Sequence, residues 1–544
     1  MRSMFSHTPG CRVGRSPATG PRAAALAALA FLAPGCSGAR PSPPEPPAFV
    51  RGGILVPEGS AEGRAISAGR VFSPLAHSPG AALSWSGPGG SGSAIAPQEL
   101  DCGAFFSVDL GDISAAVARG AAAPDTALAF SPDGERLAVG TVQGELRVLD
   151  AWTGAELSRR SLAETLVKAV RWSADGSTVY SIEQSPEAWL RALRPADLAD
   201  QWRLRLADQV GASAPPAGED IFGVYSLPTA YGLHVAADGS LLLAAAHGWS
   251  EGGARLNRSQ VLRVSPEGQL VDRWPPEPIS ATLLNPAVDP SGAALLVVAS
   301  RSADGPPPAA PPLPSVLRLD AAPFALRSAI EAPALGPWFK QSDVWQAIDI
   351  DLAQDRLAVG YADGRVHLRD GSGALVAELS PGAPVLAGAV PIAASVGALE
   401  LVPGQLIFTT SYTQIPFGAS APELRPTAVH EAENTLWSVH LDGAPGWRWQ
   451  GGHRLEALAA HPTAPLLAVA AGERTVDARR DLYGVLVFNL SDPNQHKLLQ
   501  RCPTEGPVTF APAWAPDGRL AFVEHPWRSA EGEVGGAYRL WVTR

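Results

Sequence analysis

Lysine is almost missing from this chain: Lys168, Lys340 and Lys497 are its only three, and charged residues of all kinds make up 17% of 544. The formal net charge is -11. Holding a phosphate backbone requires clustered basic side chains that displace counterions, so the composition excludes nucleic acid as a partner. The apolar run Ala23 to Ala33 falls well short of the roughly 20 residues that span a bilayer as a helix. The motifs His-Glu-x-x-His and Cys-x-x-Cys are absent, which leaves zincin and thiol-redox chemistry without support. The stretch Gly87-Pro88-Gly89-Gly90-Ser91-Gly92 fits Gly-x-Gly-x-x-Gly, but it has no strand before it and no helix after it, so it is a chance match. What is abundant is glycine (55) and proline (52), more than an ordinary globular chain carries, which excludes coiled coils, collagen and long helical arrays.

The first 35 residues hold Arg2, Arg12, Arg15 and Arg22, no acid, an apolar run and then Pro34-Gly35-Cys36. That order of positive, apolar and small residues is the layout of an export signal. The end, Leu32-Ala33-Pro34-Gly35-Cys36, resembles the lipobox of bacterial lipoproteins. The resemblance implies cleavage before Cys36 and acylation of its thiol, hence a protein anchored by lipid to the bacterial envelope on its periplasmic or cell-surface side. Removing residues 1–35 leaves 53 acidic residues against 38 basic ones, an acidic balance that favours solubility. Residues 36–100 are rich in Pro, Gly, Ser and Ala, stiffest at Pro41-Ser42-Pro43-Pro44, and read as a tether with polyproline character. Of the four cysteines, Cys11 precedes the cut and Cys36 carries the lipid, leaving Cys102 and Cys502. In an exported chain these two allow one disulfide, with two buried thiols as the alternative.

From residue 101 to the end the chain is repetitive. Arg136-Leu137-Ala138-Val139-Gly140 recurs as Arg356-Leu357-Ala358-Val359-Gly360, and Gly144 and Asp150 recur at the same offset as Gly364 and Asp370. Each unit has four short β-prone runs with turn residues between them, as in Ser131-Pro132-Asp133-Gly134. Units restart near Ala127, Val167, Gly232, Leu284, Ala347, Ala398, Leu455 and Pro512, roughly 50 residues apart. A four-stranded unit of that size cannot bury both sheet faces alone, so it predicts an all-β fold, an eight-bladed β-propeller of four-stranded blades, with seven blades as the alternative count. The last unit supplies only three strands, and Phe105 to Leu110 is placed to provide the fourth and close the ring. The Ser-Pro-Asp-Gly turn, the Leu-Ala-Val-Gly strand and Gly452-His453 resemble the WD-repeat, Tol-type and quinoprotein-like propellers. No Trp-Asp dipeptide occurs; Leu149-Asp150, Leu319-Asp320, Arg369-Asp370 and Leu441-Asp442 stand in its place.

Links between first and second strands and between third and fourth are short, whereas the long ones, His247 to Ser259, Arg301 to Pro314, Ser411 to Asn434, Gly472 to Tyr483 and His525 to Gly536, all fall on the opposite rim. Long irregular loops gathered on one face of a rigid scaffold are where binding resides. Among their residues Trp249, Arg255, Tyr412, Arg479, Tyr483, Trp527 and Arg528 have the aromatic and arginine character of hot spots, against the alternative of loops that merely tolerate length. In the run Ala347-Ile348-Asp349-Ile350-Asp351 the two acids share a face of a strand. With Glu400 or Glu456 they could hold a hard cation; the simpler assignment is hydrogen bonding to the next blade, and no metal or cofactor is expected. The sequence therefore predicts a monomeric scaffold that binds an envelope or extracellular protein, or a glycan, with no catalytic residues. The propeller resemblance also implies a different class, a lactonase-like or quinone-dependent dehydrogenase-like enzyme with an axial site, for which Arg171, Asp349 and Glu400 are the candidates.

Overall fold

Each of the eight quartets of β-prone runs folds as an antiparallel four-stranded sheet in the computed structural model of the chain. The structure describes residues 49–51, 54–56, 104–118, 126–162, 166–213, 227–251, 254–289, 292–300, 316–330, 347–353, 355–361, 364–382, 385–387, 390–392, 394–410, 430–452, 454–472, 483–528 and 532–543. Blades 1 to 8 begin with the strands Ala127–Phe130, Leu166–Trp172, Thr229–Val235, Thr282–Val288, Ala347–Ala353, Val396–Val402, Leu455–Ala460 and Ala513–Trp514. These are the innermost strands. Each touches the corresponding strand of the next blade, and Ala513–Trp514 touches Ala127–Phe130, so the series closes on itself. The count is eight.

The conserved-looking wording of the repeat has a packing cause. A Cβ on Gly140 would lie 2.5 Å from Val167 Cγ1 of blade 2, and a Cβ on Gly360 would lie 2.5 Å from Val396 Cγ1 of blade 6. Glycine is the last residue of the second strand in blade 1 and the last but one in blade 5 because a valine from the neighbouring inner strand sits against the backbone there. The arginine that opens the same strand clasps the next blade. Arg136 Nη2 donates to Gly176 O (3.0 Å) with its guanidinium over the Trp172 ring, and Arg519 donates to Gly134 O and Ala151 O (2.6 Å each) with its guanidinium 3.6 Å from the centre of the Trp152 ring. Between blades the sheet faces make apolar layers; Leu242 and Val261 of blade 3, for instance, bury against Leu283, Val297 and Leu317 of blade 4. Neither sheet could hide those faces alone, which ties the stability of each blade to its neighbours.

Closure follows the sequence expectation. Ala104–Asp109 pairs antiparallel with Arg539–Thr543 as the outer strand of blade 8, in register from Ala104 opposite Thr543 to Asp109 opposite Arg539. The chain then runs through a short helix, Ser114–Ala118, into blade 1. On the way Leu110, Ile113 and Val117 bury against Val139, Val523 and Tyr538. Cys502 is buried and disulfide-bonded; Cys102, the partner expected from the sequence, lies outside the described residues, as do residues 1–48, Cys36 among them, and most of residues 49–100. No helix among the described residues is long and apolar enough to cross a membrane.

Removing residues 37–112 should strip the outer strand from blade 8 and expose the Leu110 site, lowering unfolding stability by about 3 kcal/mol or more. Urea denaturation of the truncated and full chains reads this directly; equal midpoints and equal cooperativity would show that the ring does not depend on the N-terminal strand.

Candidate binding face and axial channel

Strand alternation sorts the links by face. On one face the turns are tight, the longest lying between Asn489 and Lys497, and this is the face that the Arg136 and Arg519 clasps hold. All long links, and all between-blade segments, emerge on the other. Several of those expected to be irregular have structure of their own. The segment His247 to Ser259 continues the second and third strands of blade 3, Leu241–Glu251 and Ala254–Val264, which pair down to Glu251 opposite Ala254. The first strand of the blade stops pairing at Ala246 and the fourth at Ser259, so the hairpin beyond these points projects from the sheet. A second hairpin, Val385–Ala387 with Val390–Ile392, lies between blades 5 and 6, and a third, Trp527–Arg528 with Val534–Gly535, lies within blade 8 and touches the helix Ser114–Ala118.

The blade 3 hairpin presents a layered aromatic and cationic surface. His247 and Trp249 stack with ring centroids 4.8 Å apart, and the Arg258 guanidinium lies 5.4 Å from the centre of the Trp249 ring. His247 is buried and its Nδ1 donates to Val210 O (3.3 Å), which roots the hairpin on the short helix Ala207–Val210. Gly211, at φ +94, ends that helix in a left-handed conformation that glycine alone adopts at little cost. Trp249 is half-buried and Arg258 exposed; Arg255 stands opposite Ser250 near the hairpin tip. In the blade 8 hairpin Trp527 is half-buried, its indole against Gly535, where a Cβ would lie 2.3 Å from the ring, while Arg528 is exposed. Tyr483 is 4% exposed; it immediately precedes the third strand of blade 7, Gly484–Asn489, and offers a partner little surface. Tyr412 and Arg479 lie outside the described residues. Sequence reasoning missed His247, whose alternation with Trp249 along a strand was the available signal.

Beneath blade 8 on this face is a buried polar cluster. Tyr538 OH and Thr126 Oγ1 are 2.7 Å apart, Val142 N–H donates to Tyr538 OH (3.2 Å), and His525 packs edge-on to Phe510 and against Tyr538. Burial pushes the Tyr538 phenol up to about 12 and the His525 imidazole down to about 3, so both are neutral at pH 7.

The innermost strands have one edge that no strand covers, and side chains from neighbouring blades cover it. Trp172 Nε1 donates to Ala129 O and Trp514 Nε1 to Ala459 O, both at 2.8 Å. The Asp351 carboxylate accepts Leu401 N–H from blade 6 (2.7 Å), the Glu400 carboxylate accepts Ala460 N–H from blade 7 (2.9 Å), and His234 Nε2 donates to Pro286 O of blade 4 (2.8 Å). Glu456 is buried in an ion pair with Arg454 (2.9 Å). Of the acids considered for a cation, Asp351, Glu400 and Glu456 are thus engaged by protein groups, and no group of three metal-ligating side chains occurs among the described residues. The side chain of Asp349 lies outside them.

The family described as the Anaphase-promoting complex subunit 4 WD40 domain matches residues 118–175. Among curated proteins nothing matches. The computationally designed Ika8 protein is similar in shape at 13% identity and a TM-score of 0.47, over 76% of this chain and 95% of that one. BamB from Moraxella catarrhalis aligns at 13% identity and 0.37, over 63% and 79%, and a chain of the Mitotic Checkpoint Complex at 11% and 0.41, over 86% and 99%.

A buried neutral histidine gives this fold an acid limit. Unfolded His525 protonates near 6.5 and the folded one near 3, so between those values the unfolded chain binds the extra proton; the stability is full above 6.5 and is lost as pH falls. By pH 5 His525 should have removed about 2 kcal/mol, and urea titrations of His525→Gln should show a shallower slope between pH 6.5 and 5. An identical slope would assign the loss to other groups. By its repeat and its closed ring of sheets, the chain is an eight-bladed β-propeller, with a WD40 family match confined to residues 118–175.

Proposed function

We propose that this propeller is a lipid-anchored, extracytoplasmic scaffold that holds a protein or glycan partner on its loop-bearing face. The observation that carries the reading is the asymmetry of the disc. One face is shut by tight turns and arginine clasps, while the other bears every long link and the projecting hairpin on which Trp249 packs near both His247 and Arg258. A flat aromatic ring backed by a rooted strand and flanked by a guanidinium gives large contact area at small entropic cost, the character of an interface hot spot. The Arg528 guanidinium, exposed on the blade 8 hairpin, adds a second donor group on the same face. The anchor rests on the lipobox-like end at Cys36, and the Pro-rich stretch after it would lift the disc away from a membrane surface.

An axial enzyme would need acids with free lone pairs converging on the channel, and Asp351 and Glu400 are instead committed to the backbone of the next blade. Binding is therefore the better-supported class. Two outcomes test it. In cells, Cys36→Ser should move the protein from the membrane fraction to the soluble fraction, and unchanged membrane partition would remove the anchor. In crosslinking and pull-down from membranes, the double change Arg258→Ala with Arg528→Ala should lower capture of the bound partner at least about fivefold while leaving the melting midpoint within about 2 °C, because both side chains are exposed. Full capture by that variant would move the partner elsewhere on the disc.

A further inference from the structure

Register places one residue of each innermost strand at a common level of the channel. That residue is Arg171 in blade 2, His234 in blade 3, Asp351 in blade 5 and Glu400 in blade 6, opposite Tyr180, Leu242, Ala358 and Ile407 respectively, and it is alanine in the other four blades. Three of these polar groups have a structural task, since His234, Asp351 and Glu400 each bond to the inner strand of the next blade. Arg171 does not. Its one hydrogen bond among the described residues runs from Nη1 to Val170 O of its own strand (2.9 Å), leaving Nε and Nη2 without a partner.

The setting of that guanidinium is unusual for a cation. Solvent reaches it, yet the protein around it displaces enough water to pull its pKa below the ordinary arginine value, and no carboxylate among the described residues offsets that cost. Its neighbours in the layer are Ala129 on one side and His234 on the other. His234 is itself neutral, held down to about 4 by burial and then by the charge of Arg171. The channel acids lie on blades 5 and 6, three and four blades round the ring. An enclosed, hydrated, uncompensated guanidinium whose free N–H groups form a planar fork is matched by a group with two or more anionic oxygens.

We propose that the axial channel is a binding site for a small oxyanion, a carboxylate or phosphate group, held by the free edge of the Arg171 guanidinium. The oxyanion supplies the missing counter-charge, the alanines at positions 129 and 287 leave room beside it, and neutral His234 does not compete for it. This site goes beyond the partner-binding face and does not depend on it.

The test uses the purified full chain with two probes, inorganic phosphate and succinate, and sodium chloride at equal ionic strength as the reference. Calorimetric titration and thermal melts should show saturable binding and stabilisation with at least one probe, and which probe saturates names the group the site prefers. Arg171→Met should weaken that binding at least tenfold. Arg171→Lys, which keeps a charge but not the fork, should retain part of it, and it keeps the idea testable if the methionine variant folds poorly. No saturable effect of either probe beyond that of chloride, or undiminished affinity in Arg171→Met or in both variants, would overturn the proposal.

Discussion

The uncovered edge of the innermost strand is the constraint from which the rest of this structure follows. A β-sheet that ends at an axis leaves backbone N–H and C=O groups facing the channel with no strand to pair them, and such groups are costly unless a partner is found. Here the partners are side chains lent by neighbouring blades: the indoles of Trp172 and Trp514, the carboxylates of Asp351 and Glu400, and the imidazole of His234. Polar residues near the axis are therefore structural first. That is why Asp351 and Glu400, which in isolation resemble part of a ligand set, prove to be latches, and why Arg171, whose hydrogen bonding among the described residues stays within its own strand, stands apart.

The same dependence of each blade on the next explains the division of labour between the two faces. Tight turns bring Gly134 and Gly176 close enough for Arg519 and Arg136 to reach their carbonyls, so that face is fixed by the geometry of blade contact. The opposite face carries no such obligation. Its links can lengthen without disturbing the ring, and the blade 3 hairpin shows how added residues are put to use: the strands simply continue and rest on the helix Ala207–Val210. Variation collects where the scaffold does not forbid it, which is where recognition is expected.

Closure joins the two themes. Blade 8 takes its outer strand from the other end of the chain, and the segment after that strand passes Leu110, Ile113 and Val117 into the apolar layer between blades 8 and 1. The ring is thus sealed by main-chain pairing, by apolar burial and by the Arg519 clasp over Trp152, three interactions of different physical kinds acting across the same seam.

The sequence by itself determined the architecture, because period and turn chemistry are local properties. The recurrence of Arg-Leu-Ala-Val-Gly, the Asp-Gly turns and the missing fourth strand of the last unit were enough to predict eight blades and the use of Phe105 to Leu110 to close them. It also sorted the links onto two faces, since alternation along an antiparallel sheet needs only counting. Tertiary structure alone decided what each side chain does there. Tyr483 sits in a loop-flanking position by sequence but is buried just before a strand, and Trp249 became part of a surface with His247, two residues back on its own strand, and Arg258, brought near it by strand pairing. Asp351 and Arg171 occupy equivalent places in the repeat, yet one accepts a backbone amide of the next blade and the other stays exposed, a difference fixed by which blade stands next to each and not by either residue's neighbours in the chain.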